Sequence, residues 1–188
     1  MQLFTKEKQY ANEVALAATK YGVPASLIMG HIKQESSFNP LAYRAEPSIN
    51  DASYGMMQLL LNTAKTLDTN VTVEKLYNPG YNIDLGTKYI SQNLKRYPND
   101  IQSAIAAYNA GSAYKTQDGK YISKSGNDVQ KYVDNVYKNM QVYENWIKGG
   151  EQSIQTSWLD IIIPVAIAGL LIWIIIRRKN KNVEGDTA

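Results

Sequence analysis

Apolar residues recur at spacings of three and four along most of the first 148 positions, and no stretch alternates as a half-buried strand does. That period admits a stack of amphipathic helices and leaves room for little else. Residues 5–21 read as one helix, with Tyr10, Val14, Ala17, Ala18 and Tyr21 at helical spacing and Gly22 closing it. Pro24 fits the first turn of a second helix running to about Ser36. A third opens in Ser53-Tyr54-Gly55-Met56-Met57-Gln58 and carries Met57, Leu60, Leu61, Ala64 and Leu67 on one face. Residues 79–97 form a fourth. Asp100 caps a short alanine-rich helix that ends at Ala110, with Gly111 as its C-terminal cap. Residues 127–147 form the longest, lined by Val129, Tyr132, Val136, Met140, Tyr143 and Ile147. Turn residues punctuate 38–54, which leaves space for a small hairpin; 112–126 reads as a polar surface loop.

One position breaks the pattern. The second helix places Ile28, Ile32 and Glu35 on the same face. A carboxylate there faces apolar neighbours, burial, and the negative end of its own helix, all of which favour the protonated form. A proton held near neutral pH is what a general acid needs. By itself a glutamate near a helix end is more often a solvated or ion-paired residue.

Bulk composition narrows the function. The chain has 188 residues, no cysteine and one histidine. Disulfide scaffolds, thiol nucleophiles and Cys/His zinc sites are therefore not expected, and no metal or cofactor is called for. The net charge of +3 arises largely from a C-terminal cluster, so no basic stripe suggests nucleic acid. Fourteen tyrosines against two phenylalanines suit a groove for sugar rings, or simply amphipathic helix faces.

Past the helical part, Gly149-Gly150 and a polar run to Ser157 form a hinge. Ile161–Ile176 then runs for sixteen residues without a charge. At ~1.5 Å per residue this covers roughly 24 Å, and Trp158 to Asp160 extend it toward a hydrocarbon core of about 30 Å. Arg177, Arg178, Lys179 and Lys181 follow at once. The boundaries are a domain at 1–148, a linker at 149–158, a transmembrane helix at 159–176 and a polar tail at 177–188.

Four short motifs occur in order: Glu35-Ser36, Gly55-Met56-Met57-Gln58, Ala107-Tyr108-Asn109-Ala110-Gly111 and Tyr132-Val133. Between them lie Asn39-Pro40, Arg44-Ala45-Glu46-Pro47, Asn50-Asp51-Ala52-Ser53-Tyr54-Gly55, Asn78-Pro79, Asn82-Ile83, Gly86 and Tyr89. Together they resemble the lytic transglycosylases of the SLT type, relatives of goose-type lysozyme, over about residues 10–140. The resemblance implies a mainly α, lysozyme-like domain with at most a small β-hairpin, followed by the single transmembrane helix. It also implies that Glu35 is the one catalytic acid/base, acting on the β-1,4 bond between N-acetylmuramic acid and N-acetylglucosamine. The acetamido oxygen of the substrate assists, and the C6 hydroxyl closes on C1 to give a 1,6-anhydro sugar. This departs from the two-carboxylate scheme.

The same resemblance assigns substrate contacts to Ser36, Tyr54, Gly55, Met57, Gln58, Tyr108, Asn109 and Tyr132. Gly55 permits close backbone approach, Gln58 bonds a sugar, Asn109 reaches an N-acetyl group, and Tyr132 hydrogen-bonds Glu35. Spacing alone reads Met57 equally as core, and Ser36 and Asn109 as polar helix ends. Met56 stands where the family has leucine, and Asp128 where it often has glutamate. His31, one turn before Glu35, reads as a packing or surface residue rather than a second catalyst.

Two rivals follow. A muramidase of the same fold needs a carboxylate that positions water, with Asp51 and Glu46 as candidates. An inactive glycan-binding membrane protein needs no acid. The partners expected are peptidoglycan glycan strands and a lipid bilayer. The positive-inside rule places 177–188 in the cytoplasm, yet the N-terminus shows no signal-peptide pattern. The internal membrane of a bacteriophage virion reconciles the two; otherwise the place is the bacterial envelope, with the domain facing the wall.

Overall fold

A computed structural model describes residues 5–149. Residues 5–145 belong to one compact unit, Met1–Asn145; of the second, Trp146–Ala188, only the helical residues 146–149 are described. The expected membrane segment at 159–176 lies outside the described residues. Among the described residues, no helix is long and apolar enough to cross a membrane.

The chain runs α1 (Thr5–Gln9), α2 (Ala11–Tyr21), α3 (Ala25–Ser36), β1 (Tyr43–Glu46), β2 (Asp51–Tyr54), β3 (Leu59–Leu60), α4 (Leu61–Leu67), α5 (Val73–Leu76), α6 (Pro79–Arg96), α7 (Ile101–Ala110), β4 (Tyr114–Lys115), β5 (Tyr121–Ile122) and α8 (130–149). Helix α6 is the hub and packs against α2, α3, α4, α5 and α7. Its inner face buries Ile83, Leu85 and Ile90, and also Asn82 and Thr87. Its start is fixed locally: Pro79 occupies the first turn, and the Asn78 side chain accepts the Tyr81 N–H. Asp100 caps α7 through the Ser103 N–H, and Gly22 and Gly111 end α2 and α7 in the left-handed conformation, as expected.

Helix α3 supplies the deepest core with Leu27, Ile28 and Ile32. A Cβ on Gly30 would lie 3.0 Å from the Val136 carbonyl oxygen and 3.1 Å from the Met140 nitrogen. Only glycine lets α3 and α8 come together here.

Several expectations are corrected. The first helix is two, because the chain turns at Tyr10 (φ −112°, ψ 14°) and buries both Glu7 and Tyr10. Pro24 sits just before the first turn of α3 rather than within it. The third helix starts at Leu61, not in the Ser53–Gln58 segment. Gly55 (φ 73°) and Gln58 (φ 46°) are left-handed, and Leu59–Leu60 pair with β2 as a third strand. The sheet is therefore β1-β2-β3, antiparallel throughout, with Arg44 opposite Ser53 and Ser53 opposite Leu60. The 112–126 segment is not plain loop but a second hairpin, β4–β5. Its strands are two residues long, too short to show alternation. They form because Tyr121 buries its ring and its N–H donates to the Gln130 side chain.

Candidate active site

The last turn of α3 delivers Glu35 to a groove of about 270 Å³. The opposite wall is the inner face of the sheet, where Arg44, Glu46 and Ser53 line up by register. Gln58, Tyr108 and Asn109 also line it, with Tyr89, Thr63 and the apolar side chains of Ile49, Leu59 and Leu60. Right after Glu35 the chain reverses sharply. Ser37 and Phe38 both take left-handed conformations (φ 51° and 63°), and Phe38 is buried edge-on against Tyr143.

Burial pushes the Glu35 carboxyl up to about 7. Two weaker influences pull the other way: the Tyr132 hydroxyl donates to Glu35 Oε1 at 2.5 Å, and the Arg44 guanidinium adds positive charge. The carboxyl thus holds its proton over part of the neutral range and can accept one again after losing it.

The floor is a polar scaffold under apolar cover. Asn82 of α6 is fully buried; its Oδ1 accepts the Met57 N–H at 2.7 Å, and its Nδ2 donates to the Tyr54 and Leu76 carbonyls at 3.0 and 2.9 Å. The Tyr108 hydroxyl donates to the Met57 carbonyl at 2.9 Å. The Ser36 hydroxyl donates to the Met56 carbonyl at 2.7 Å and accepts the Asn39 N–H. Three helix ends or faces therefore hold the 55–58 turn. A Cβ on Gly55 would fall 2.2 Å from the Leu76 carbonyl oxygen, so no other residue fits.

These facts redistribute the residues named from sequence. Glu35, Gln58, Tyr108 and Asn109 line the groove, and Tyr132 stands directly behind Glu35. Met57 is wholly buried, packed onto Gly86 of α6; its side chain is core, and only its backbone shapes the site. Ser36 and Gly55 hold the turn. Tyr54 pairs with Tyr43 across β1–β2, one residue out of step with Arg44 and Ser53, and so faces away from the groove. Its ring packs against Tyr43 and Tyr77, at 5.5 and 5.8 Å. Asp128 accepts the Gln130 N–H at the start of α8.

Of the two carboxylates considered as partners for Glu35, Asp51 is committed to backbone: it accepts the N–H groups of Ala52 and, at the start of α4, Asn62. Glu46 lines the groove and pairs with Arg44 at 2.5 Å. Among the described residues no cluster of three or more His, Cys, Asp or Glu could hold a metal ion.

Sequence reasoning did not single out Asn82, Arg44 or the placement of His31. Both stand in the connecting pattern of the resemblance, as Asn82-Ile83 and Arg44-Ala45-Glu46-Pro47, but neither is given a role there, because Asn82's depends on a turn 25 residues away and Arg44's on strand register.

Comparison with known proteins bears on the family and the fold. Residues 13–131 match the model of the transglycosylase SLT domain family. The membrane-bound lytic murein transglycosylase C of Histophilus somni is 32% identical over 121 residues, covering 57% of this chain and 32% of that protein. Its counterpart in Actinobacillus pleuropneumoniae is 32% identical over 139 residues, covering 70% of this chain and 37% of that one. The chain thus spans about a third of the length of these relatives. The fold is also that of the lytic transglycosylase Slt of Pseudomonas aeruginosa, solved as an inactive mutant. There the TM-score is 0.60 at 24% identity, over 74% of this chain and 24% of that one. With its matched segment covering more than half of the sequence, the chain belongs to the transglycosylase SLT domain family.

Proposed function

We propose that the chain is a peptidoglycan lytic transglycosylase that cuts the β-1,4 bond between N-acetylmuramic acid and N-acetylglucosamine. The observation that carries this is the Glu35 carboxyl, raised to about 7 in the groove and held by the Tyr132 hydroxyl. In the first step Glu35 gives its proton to the glycosidic oxygen as the bond to C1 breaks, and the substrate's acetamido oxygen stabilises C1. In the second, the Glu35 carboxylate takes the proton of the C6 hydroxyl as that oxygen bonds to C1. The enzyme ends as it began, and no water is consumed. A midpoint near neutrality suits a group that must act as acid and then base. Gln58 and Asn109 are the groove residues offered for hydrogen bonds to the sugars.

Mass analysis of fragments released from purified cell walls tests this. Anhydro ends are expected from the wild-type chain, and Glu35→Gln should lower the rate by about 10³-fold or more. A Glu35→Gln chain as active as wild type refutes the assignment. A second reading rests on Glu46, which shares the groove with Glu35: if it positions a water, the same fold is a muramidase, and the products carry reducing ends.

The reading extends to place. The uncharged run 161–176 and the basic residues after it support a membrane anchor at 159–176 behind a catalytic domain at 1–148. The name of the Histophilus relative carries the same association. The function is then local opening of the wall beside a membrane, on a bacteriophage virion or in the bacterial envelope. Fractionation decides between them: recovery in purified, lipid-bearing virions supports the first, and recovery only in uninfected envelopes overturns it.

A further inference from the structure

We propose that His31 is a positioning residue that orients the Tyr132 hydroxyl and, through it, keeps the acidic proton of Glu35 off Oε1. This rests on Glu35 being the acid of the proposed reaction.

His31 is 1% exposed, one helical turn before Glu35 on α3. Its Nδ1 lies 3.1 Å from the Tyr132 oxygen, and its ring lies 4.5 Å from the Tyr108 ring. A phenol has one proton to give. Tyr132 gives it to Glu35 Oε1. The Tyr132 oxygen can therefore only accept from His31, which fixes the proton of the neutral imidazole on Nδ1. Burial keeps His31 uncharged by lowering it to about 3. The chain runs one way, Nδ1–H to Tyr132 oxygen to Glu35 Oε1. With Oε1 occupied as an acceptor, protonation falls on Oε2.

The reverse arrangement shows why direction matters. If Nδ1 were the acceptor, Tyr132 would turn its proton to His31. Glu35 would then donate its own proton to the Tyr132 oxygen, where it is useless to a glycosidic oxygen. An apolar residue at position 31 leaves both directions open.

Other groups face Glu35. Tyr108 comes from α7, and Arg44, with its partner Glu46, comes from β1. Burial holds Tyr108 and Tyr132 well above the ordinary tyrosine range, so neither ionises where Glu35 titrates. Losing the aimed Tyr132 donor removes an influence that lowers the Glu35 midpoint. The midpoint should therefore rise.

The test uses the full chain with His31→Phe, His31→Asn, Tyr132→Phe and the double variant His31→Phe/Tyr132→Phe. The Glu35 carboxyl is followed by ¹³C NMR, and wall cleavage is followed against pH. Expected are a higher Glu35 midpoint, an alkaline limb moved the same way, and about tenfold lower activity in His31→Phe. His31→Asn, whose amide N–H can stand where Nδ1–H stood, should restore most of both. The double variant should behave like Tyr132→Phe alone, because residues acting in one chain do not add. An unchanged midpoint in His31→Phe overturns the proposal, as do fully additive effects. If His31→Phe fails to fold, His31→Ala in the Tyr132→Phe background and alone gives the same comparison. A Glu35→Gln chain with wild-type activity would strike the proposed function, while the NMR midpoints would still decide whether His31 governs the carboxyl.

Discussion

At neutral pH the Glu35 carboxyl is near its midpoint, so its proton bears on folding as well as on chemistry. The folded value, about 7, lies above the ordinary 4.5. Between those values the folded chain holds a proton that the unfolded chain has lost. The contribution of the protonated carboxyl is complete below about pH 4.5 and disappears as pH rises through 7. Above pH 7 the charge is buried at a cost of roughly 2–3 kcal/mol, allowing for the partial exposure of the residue. Glu35→Gln should therefore melt higher than wild type at pH 8 and nearly equally at pH 4, as calorimetry at the two values would show. A variant that loses activity while gaining stability separates a catalytic carboxyl from a structural one. In the sequence, two isoleucines and a glutamate on one helix face mark the position as odd, and the ordered motifs of the resemblance, not that local conflict, single it out.

At the scale of elements, the site depends on how closely α3 and α8 approach. Gly30→Ala would force the helices apart at Val136 and Met140. The expected cost is about 1–3 kcal/mol by chemical denaturation, together with a weaker Glu35–Tyr132 contact and reduced cleavage at temperatures where the variant stays folded. Helices with strong periodicity and caps could be read from sequence; α6 and α7 are examples, fixed by Asn78, Pro79, Asp100 and Gly111. The stretch from Ser53 to Leu60 could not. Met57 and Leu60 fall at a spacing a helix would use, yet they sit in a turn and a strand: Met57 is buried there, its N–H bonded to Asn82 and its carbonyl to the Tyr108 hydroxyl, 25 and 51 residues away. The β4–β5 hairpin was hidden for a related reason, since Tyr121 is buried by partners elsewhere in the chain. Tyr54 is assigned to the groove by the resemblance alone; the strand register that turns it to the other face of the sheet, onto Tyr43 and Tyr77, is not written in its own segment.

At the scale of the whole molecule, the proposed division at residue 148 makes its own prediction. A chain ended there should still release wall fragments but no longer sediment with lipid vesicles, whereas the full chain should do both. Loss of cleavage on truncation would mean that the catalytic unit needs residues beyond 148. Within the unit, the turn at 55–58 has a further consequence, for the time it takes the site to come apart. Its Met57 amide is bonded to a side chain on the hub helix, so exchange with solvent requires α6 to release Asn82. In deuterium exchange, that amide should be among the slowest in the protein, on the timescale of the helical core. Asn82→Ala should bring it to the rate of an ordinary loop. A stretch that belongs to no regular element would then keep the same clock as the interior, and the groove would persist for as long as the fold does.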